Sequence, residues 1–335
     1  MPISDLKASR LNALSTPEGI IAALAMDQRK SLRRMIADAA GRPLESITDA
    51  QLVEFKTAVT EELTPGVSAV LLDPEYGLEA AGARANGCGL LLAYESDGYE
   101  NPRPNRMLEL MPHLTVRRLR DAGADGIKIL LSYTPFDDPA ANERKCALIE
   151  RIGAECEALD MPFFLEPVGY DPDGTPPLSI DYARLRPEIV LRSMEEFSRD
   201  IYKVDVLKVE FPVDARFVEG SSVFSGQAAY TMADALGFYR EADGIARRPY
   251  VYLSAGVSGA QFLESLRMAG EAGSQFSGVL CGRATWSEGI SEYARNGSEG
   301  LKRWLGTSGG EYVRQIRECL NAAVPWDSRT RMSVG

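Results

Sequence analysis

Histidine is almost missing from this sequence, with His113 alone among 335 residues. A three-His metal site is excluded, and a triad or a histidine general base would have to rest on that one side chain. Cysteine is sparse as well. The five at 88, 146, 156, 281 and 319 show no C-x-x-C spacing, and an odd, scattered set reads as reduced thiols filling small core positions. Positive charge is in deficit, with 37 Lys and Arg against 48 Asp and Glu. A net charge of -11 repels a phosphate backbone and disfavours nucleic acid as a partner. The opening MPISDLKASRLNAL has no continuous apolar h-region, and no later run approaches the roughly 18 residues that span a bilayer. These absences lead us to expect a cytoplasmic protein with no membrane partner.

What is present is core-forming material, 45% of residues in the hydrophobic set, so disorder is not expected. The length fits either two average domains or one large α/β barrel. Eight short apolar or β-branched runs choose between them: IIAALAM (20 to 26), VSAVLLD (67 to 73), GLLLAY (89 to 94), GIKILLS (126 to 132), PFFLEP (162 to 167), VDVLKVE (204 to 210), YVYLSAG (250 to 256) and SGVLCG (277 to 282). Apolar strands of this kind, buried on both faces, belong to parallel sheets. Helical patterns lie between them, over 48 to 63 with Thr48 as cap, 114 to 122, 139 to 159, 192 to 202, 227 to 242 and 258 to 272, then 287 to 305 and 310 to 321. The segment 77 to 88 carries the weakest pattern. Eight βα units with no low-complexity linker predict a single-domain (β/α)8 barrel over 1 to 335. Its core runs from about 20 to 305, with an extra N-terminal helix, loops at 95 to 106 and 169 to 187, and C-terminal helices over 306 to 335.

In such a barrel, polar residues at the C-terminal ends of strands mark the site, and alternation along a strand tells which side chains share a face. In VDVLKVE, Lys208 and Glu210 share parity with Val204 and Val206. Lys203 and Asp205 fall on the other parity and read as solvated or helix-facing. In GIKILLS, Lys128 goes with Leu130 and Ser132. In PFFLEP, Glu166 goes with Phe164, and Asp27 follows the parity of Ala23 and Ala25. Two lysines and two carboxylates thus converge on one interior. Lysine attacks a carbonyl only when unprotonated, so a pKa of about 10.4 must fall through burial and a neighbouring cation, which Lys128 can supply for Lys208. Glu166 then suits proton transfer during carbinolamine dehydration and carbon-carbon cleavage. The same four residues also fit a satisfied ion-pair network with no chemistry.

The segments YLSAGVS (252 to 258) and VLCGRATW (279 to 286) fall on the seventh and eighth strands, where barrels often bind phosphate. Gly256 allows close approach, Ser254 and Ser258 offer hydroxyls, and Arg283 offers a fork of donors. Ser258 equally fits a plain helix N-cap. DQRK (27 to 30) reads as a short polar loop after the first strand. His113 reads as a surface or cap residue, and RRLR (117 to 120) as a solvated helix face.

Taken together, AMDQR, GADGIKILLSY, FFLEP, VDVLKVEFP, LSAGVS and GRATW, in this order over most of the chain, resemble the tagatose 1,6-bisphosphate aldolases of the LacD type, class I barrel enzymes. The resemblance implies cleavage of a ketohexose bisphosphate into dihydroxyacetone phosphate and glyceraldehyde 3-phosphate, with no metal and no cofactor. It implies Lys208 as the Schiff-base lysine, Glu166 as the proton shuttle, and Lys128 and Asp27 as polar partners around the reacting carbons. Ser254, Gly256 and Arg283 are similar to the dihydroxyacetone phosphate clamp, and Gln28 and Arg29 to positions near the hydroxyls and distal phosphate. The family commonly has Gly after the DQR run, where this chain has Lys30. That departure keeps open a sulfonated end, as in the related sulfofructose phosphate aldolases. A sugar-phosphate sensor on the same barrel is a further alternative. The expected partners are the sugar phosphate and a second copy in a two-fold homodimer.

Overall fold

A computed structural model describes residues 3–96, 98 and 103–329. Six parallel strands come first: β1 (Ile21–Met26), β2 (Ala69–Leu72), β3 (Gly89–Ala93), β4 (Gly126–Ser132), β5 (Phe163–Val168) and β6 (Val206–Val209). A two-stranded ribbon, β7 (Val218–Glu219) and β8 (Tyr230–Thr231), interrupts the series before β9 (Tyr250–Leu253) and β10 (Gly278–Cys281). The order β1-β10-β9-β6-β5-β4-β3-β2 closes on itself, with Ile21 opposite Gly278 and Leu24 opposite Cys281 at the seam. All eight barrel strands match runs read from the sequence, because continuous apolar segments can only be buried on both faces of a parallel sheet.

Alternation divides the core. Ile21, Ala23, Ala25, Ala69, Leu71, Leu91, Ala93, Phe164, Val206, Val251 and Leu280 fill the interior, while the opposite parity packs outward under the helices. The N-terminal mouth is plugged by Leu11 of helix Asp5–Ala13, by Leu14 at its C-cap and by Trp326. Gly89 is required here, because a Cβ would sit 2.4 Å from the carbonyl oxygen of Ala13. Of the two readings for Asp205, solvated or helix-facing, the second holds, since it meets Lys7 of helix Asp5–Ala13. It lies buried at this end, 2.9 Å from Lys7, and accepts the Phe163 N–H at 2.8 Å. Lys203 does face a helix, reaching Glu157 at 3.1 Å.

Three expectations about helices need correction. DQRK is not all loop, since Lys30 opens helix Lys30–Ala40, whose Leu32, Ile36 and Ala37 are buried. The helix expected over 192 to 202 runs instead over Ile180–Phe197, with Ser179 as cap and Pro187 inside, so the preceding loop is shorter than 169 to 187. The C-terminal segment is not helical throughout. Helix Ile290–Trp304 continues through a π-helical Leu305–Gly309 into Gly310–Cys319, and the chain then returns under the barrel, where Trp326 N donates to Gly19 O at 2.9 Å. The caps hold where they were read. Thr48 and Ser258 each close a capping box, with Gln51 and Gln261 respectively. The five cysteines are free thiols, and among the described residues no helix is long and apolar enough to cross a membrane.

Candidate active site

The C-terminal ends of the strands converge on a charged cluster. Lys128 on β4 donates to Asp27 at 2.7 Å and to Glu95 at 2.7 Å, and lies 2.8 Å from Glu166 on β5. Lys208 on β6 stands 2.9 Å from the same Oε2 of Glu166. One carboxylate oxygen therefore bridges the two ammonium groups. The four residues brought together by parity do meet, and all but Asp27 are almost wholly buried.

Three carboxyls around two lysines are not equivalent. Burial pushes the Asp27 carboxyl up, but the charges of Lys128 and Lys208 outweigh it and hold Asp27 well below its ordinary value. Glu166 is likewise lowered, burial again being overcome by Lys128 and Lys208. For Glu95, burial prevails over Lys128, with Asp27 adding repulsion, and the carboxyl is raised. Lys128 is raised well above an ordinary lysine, because Asp27, Glu166 and Glu95 together overcome its desolvation. Neighbouring acids with such divergent proton affinities can hold and release protons at different stages of one reaction. Lys128 is accordingly a fixed cation.

Above the cluster opens a cavity of about 180 Å³, lined by Asp27, Gln28, Arg29, Lys30, Glu95 and Arg283, with Arg33, Glu75 and Tyr76 farther out. Arg29 donates to Glu95 O at 2.9 Å and lies 3.9 Å from Glu75. On the β9 side, Gly256 has φ +79°, a left-handed conformation that favours glycine, and the Arg283 guanidinium packs against it. Ser254 is buried within hydrogen-bonding reach of Cys281, and neither it nor Gly256 belongs to the cavity wall. Ser258 is occupied with its cap. Among the described residues no group of three or more His, Cys, Asp or Glu is placed to hold a metal ion.

Residues 21–288 match the model of the DeoC/LacD family aldolases. The chain is 46% identical over 330 residues to tagatose 1,6-diphosphate aldolase 2 of Enterococcus faecalis, covering 98% of each protein. The chain belongs to the DeoC/LacD aldolase family. It is thus an aldolase, a lyase. The tagatose 1,6-diphosphate aldolases of Listeria monocytogenes (45% identity, 96% of this chain and 93% of that one) and Staphylococcus epidermidis (43%, 98% and 100%) are similar to it over the same extent. The fructose-bisphosphate aldolase from Plasmodium falciparum shares the fold, with a TM-score of 0.67 at 14% identity over 96% of this chain and 94% of that one.

Two features of this aldolase's site went unread in its sequence. Glu95 lies just past the third apolar run, which ends at Tyr94, yet it shares parity with Leu91 and Ala93, and that alternation is the signal that marks it. Glu210 was grouped with Lys208, yet it lies past the end of β6, 3.4 Å from Arg186, and accepts Gly169 N–H at 2.8 Å. It ties the end of β6 to the loop after β5. His113 lies in an exposed turn, remote in role from the cluster, and RRLR presents three arginines around a buried Leu119.

Proposed function

We propose that this aldolase is a class I enzyme in which Lys208 forms a Schiff base with the C2 carbonyl of a ketohexose 1,6-bisphosphate. Tagatose 1,6-bisphosphate is the substrate favoured, being the one named for relatives 43% to 46% identical. The observation that carries this reading is the single Glu166 oxygen shared by Lys208 at 2.9 Å and Lys128 at 2.8 Å, in a buried cluster whose Asp27 and Glu95 line an open cavity. A proton carrier in contact with the amine is what imine chemistry needs.

Glu166, a carboxylate at rest, takes a proton from the Lys208 ammonium; the freed amine adds to C2, and Glu166 returns that proton to the carbinolamine hydroxyl, which leaves as water to give an iminium. Glu166, then a carboxylate, takes the proton of the C4 hydroxyl as the C3–C4 bond breaks, its electron pair moving into the iminium. Glyceraldehyde 3-phosphate departs, Glu166 passes the proton it took to C3 of the enamine, and water adds to the resulting iminium, releasing dihydroxyacetone phosphate and restoring the Lys208 ammonium beside the Glu166 carboxylate. Lys128 and Asp27 hold the oxygens around the reacting carbons. Arg283 with the backbone at Ser254 and Gly256 takes the phosphate of the dihydroxyacetone half, where a left-handed turn lets backbone N–H groups approach an anion. Gln28 and Arg29 face the hydroxyls and the distal phosphate.

Incubation with dihydroxyacetone phosphate followed by borohydride tests this directly. A stable mass adduct on Lys208 is expected; none on a folded protein sinks the Schiff base, and ligand binding without turnover or adduct points to a sugar-phosphate sensor. A second reading, a sulfofructose phosphate aldolase, is favoured by Lys30 standing on the cavity wall beside Arg29 and Arg33. Relative turnover of the bisphosphate and the sulfonate separates the two.

A further inference from the structure

Outside the barrel wall, helix Asp49–Leu63 sends one lysine inward against β1 and β2. Lys56 has no solvent exposure, and its ammonium donates to Met26 O at 2.6 Å, Gln28 O at 2.8 Å and Asp73 Oδ2 at 2.5 Å. The two carbonyls flank Asp27, so the backbone on either side of that residue is pinned. Asp73, equally buried, uses its other oxygen to accept the N–H groups of Glu75 at 3.0 Å and Tyr76 at 2.8 Å, both on the cavity wall. One buried pair thus fixes the loops after β1 and β2. From the far side, Trp286 Nε1 donates to Ala25 O at 3.0 Å. A buried ion pair of this kind is often no more stabilising than apolar side chains of similar volume. Stability alone therefore gives little reason to place a lysine here, whereas three acceptors at the end of a catalytic strand give a positional one.

We propose that Lys56 is a positioning residue for cleavage: paired with Asp73, it holds the carbonyls of Met26 and Gln28 so that Asp27 and Gln28 stay aimed at the reacting carbons. This rests on the Schiff-base reading for what Asp27 meets, but Lys56 touches neither Lys208 nor Glu166 in any contact above. It should therefore affect cleavage more than imine formation.

The test is the double substitution Lys56→Met with Asp73→Asn, which leaves no unpaired buried charge, compared with Lys56→Arg as the conservative rescue. Steady-state cleavage kinetics and borohydride trapping of dihydroxyacetone phosphate are measured on each. The double variant is expected to lose about 10- to 100-fold in kcat, the scale of a reacting group displaced by about 1 Å. Its trapping yield should stay within about twofold of wild type, and Lys56→Arg, which keeps the charge and the donors, should have a kcat above that of the double variant. Unchanged kcat in the folded double variant overturns the proposal, and so does an equal fall in trapping and cleavage, which marks a purely structural role. Should the double variant not fold, Lys56→Gln is judged by the same split. Absence of any adduct in wild type overturns the Schiff-base reading instead, and Lys56 is then decided by kcat and its recovery in Lys56→Arg.

Discussion

The two ends of the barrel are built from the same strands and solve the problem of buried charge in opposite ways. At the N-terminal end one lysine, Lys7, faces one carboxylate, Asp205, and burial prevails: Asp205 is raised. At the C-terminal end two lysines face three carboxyls, and for Asp27 and Glu166 the lysine charges prevail over burial. At the first end the barrel interior is closed by Leu11, Leu14 and Trp326, and the ion pair borders a separate surface cavity, whereas at the second end the charged cluster itself reaches a cavity through Asp27 and Glu95. An ion pair beside an apolar plug ties the N-terminal helix to a strand, while a shared, over-supplied set of charges leaves groups able to exchange protons. Catalysis belongs where the charges outnumber what packing needs.

Substitutions at the two ends should therefore separate activity from stability. The largest effect is expected from Lys208→Ala, which should lower kcat by at least about a thousandfold, as loss of a covalent nucleophile does, while thermal unfolding moves little. Activity assays alongside melting curves check it, and turnover near the wild-type rate would end the comparison at once. At the other end, Leu14→Ala should cost about 2 to 5 kcal/mol of stability through the cavity it leaves, with kcat/KM unchanged below the melting transition. Denaturant titration measures that loss, and a matching loss of kcat/KM would mean that the plug is coupled to the site.

A smaller effect is expected at Gly256→Ala, where φ +79° opposes a side chain and a Cβ would displace the Arg283 guanidinium. A strain of about 1 to 2 kcal/mol corresponds to roughly a tenfold rise in KM, with kcat nearly kept. A fall in kcat at constant KM would place this turn elsewhere in the reaction. The smallest is a pH trend. Asp27 and Glu166, being lowered, contribute stability that is present above their ordinary values of 3.8 and 4.5 and is lost as pH falls through their folded values. Asp205, being raised, acts in the opposite sense, its contribution eroding as pH rises from about 4 through its folded value. Asp205→Asn should accordingly gain stability relative to wild type as pH rises over that range. Chemical denaturation at several pH values reads the trend, and a parallel pair of curves would show that Lys7 already cancels the cost of burying Asp205.

Much of this was legible from residues alone, and the exceptions have particular causes. Lys128, Glu166 and Lys208 stood out because charge inside an apolar strand is anomalous, and alternation aimed them inward. Helix Lys30–Ala40 was missed because its first residue was read with the polar DQRK, and half of Ile180–Phe197 was missed because Pro187 reads as a helix breaker although it is buried within the helix. Lys56 and Asp73 gave no signal at all. A lysine in a helix and an aspartate ending a strand are ordinary until their 2.5 Å contact is seen.

The sequence by itself determined the barrel and the inward set of charges, because burial and alternation are local properties of each strand. Only the tertiary structure decided which oxygen Lys208 and Lys128 share, that Glu95 completes the cluster, and that Lys56 grips the end of β1. Those contacts join residues from 28 to 42 positions apart, and their distances are fixed by the closure of the barrel rather than by any pattern along the chain.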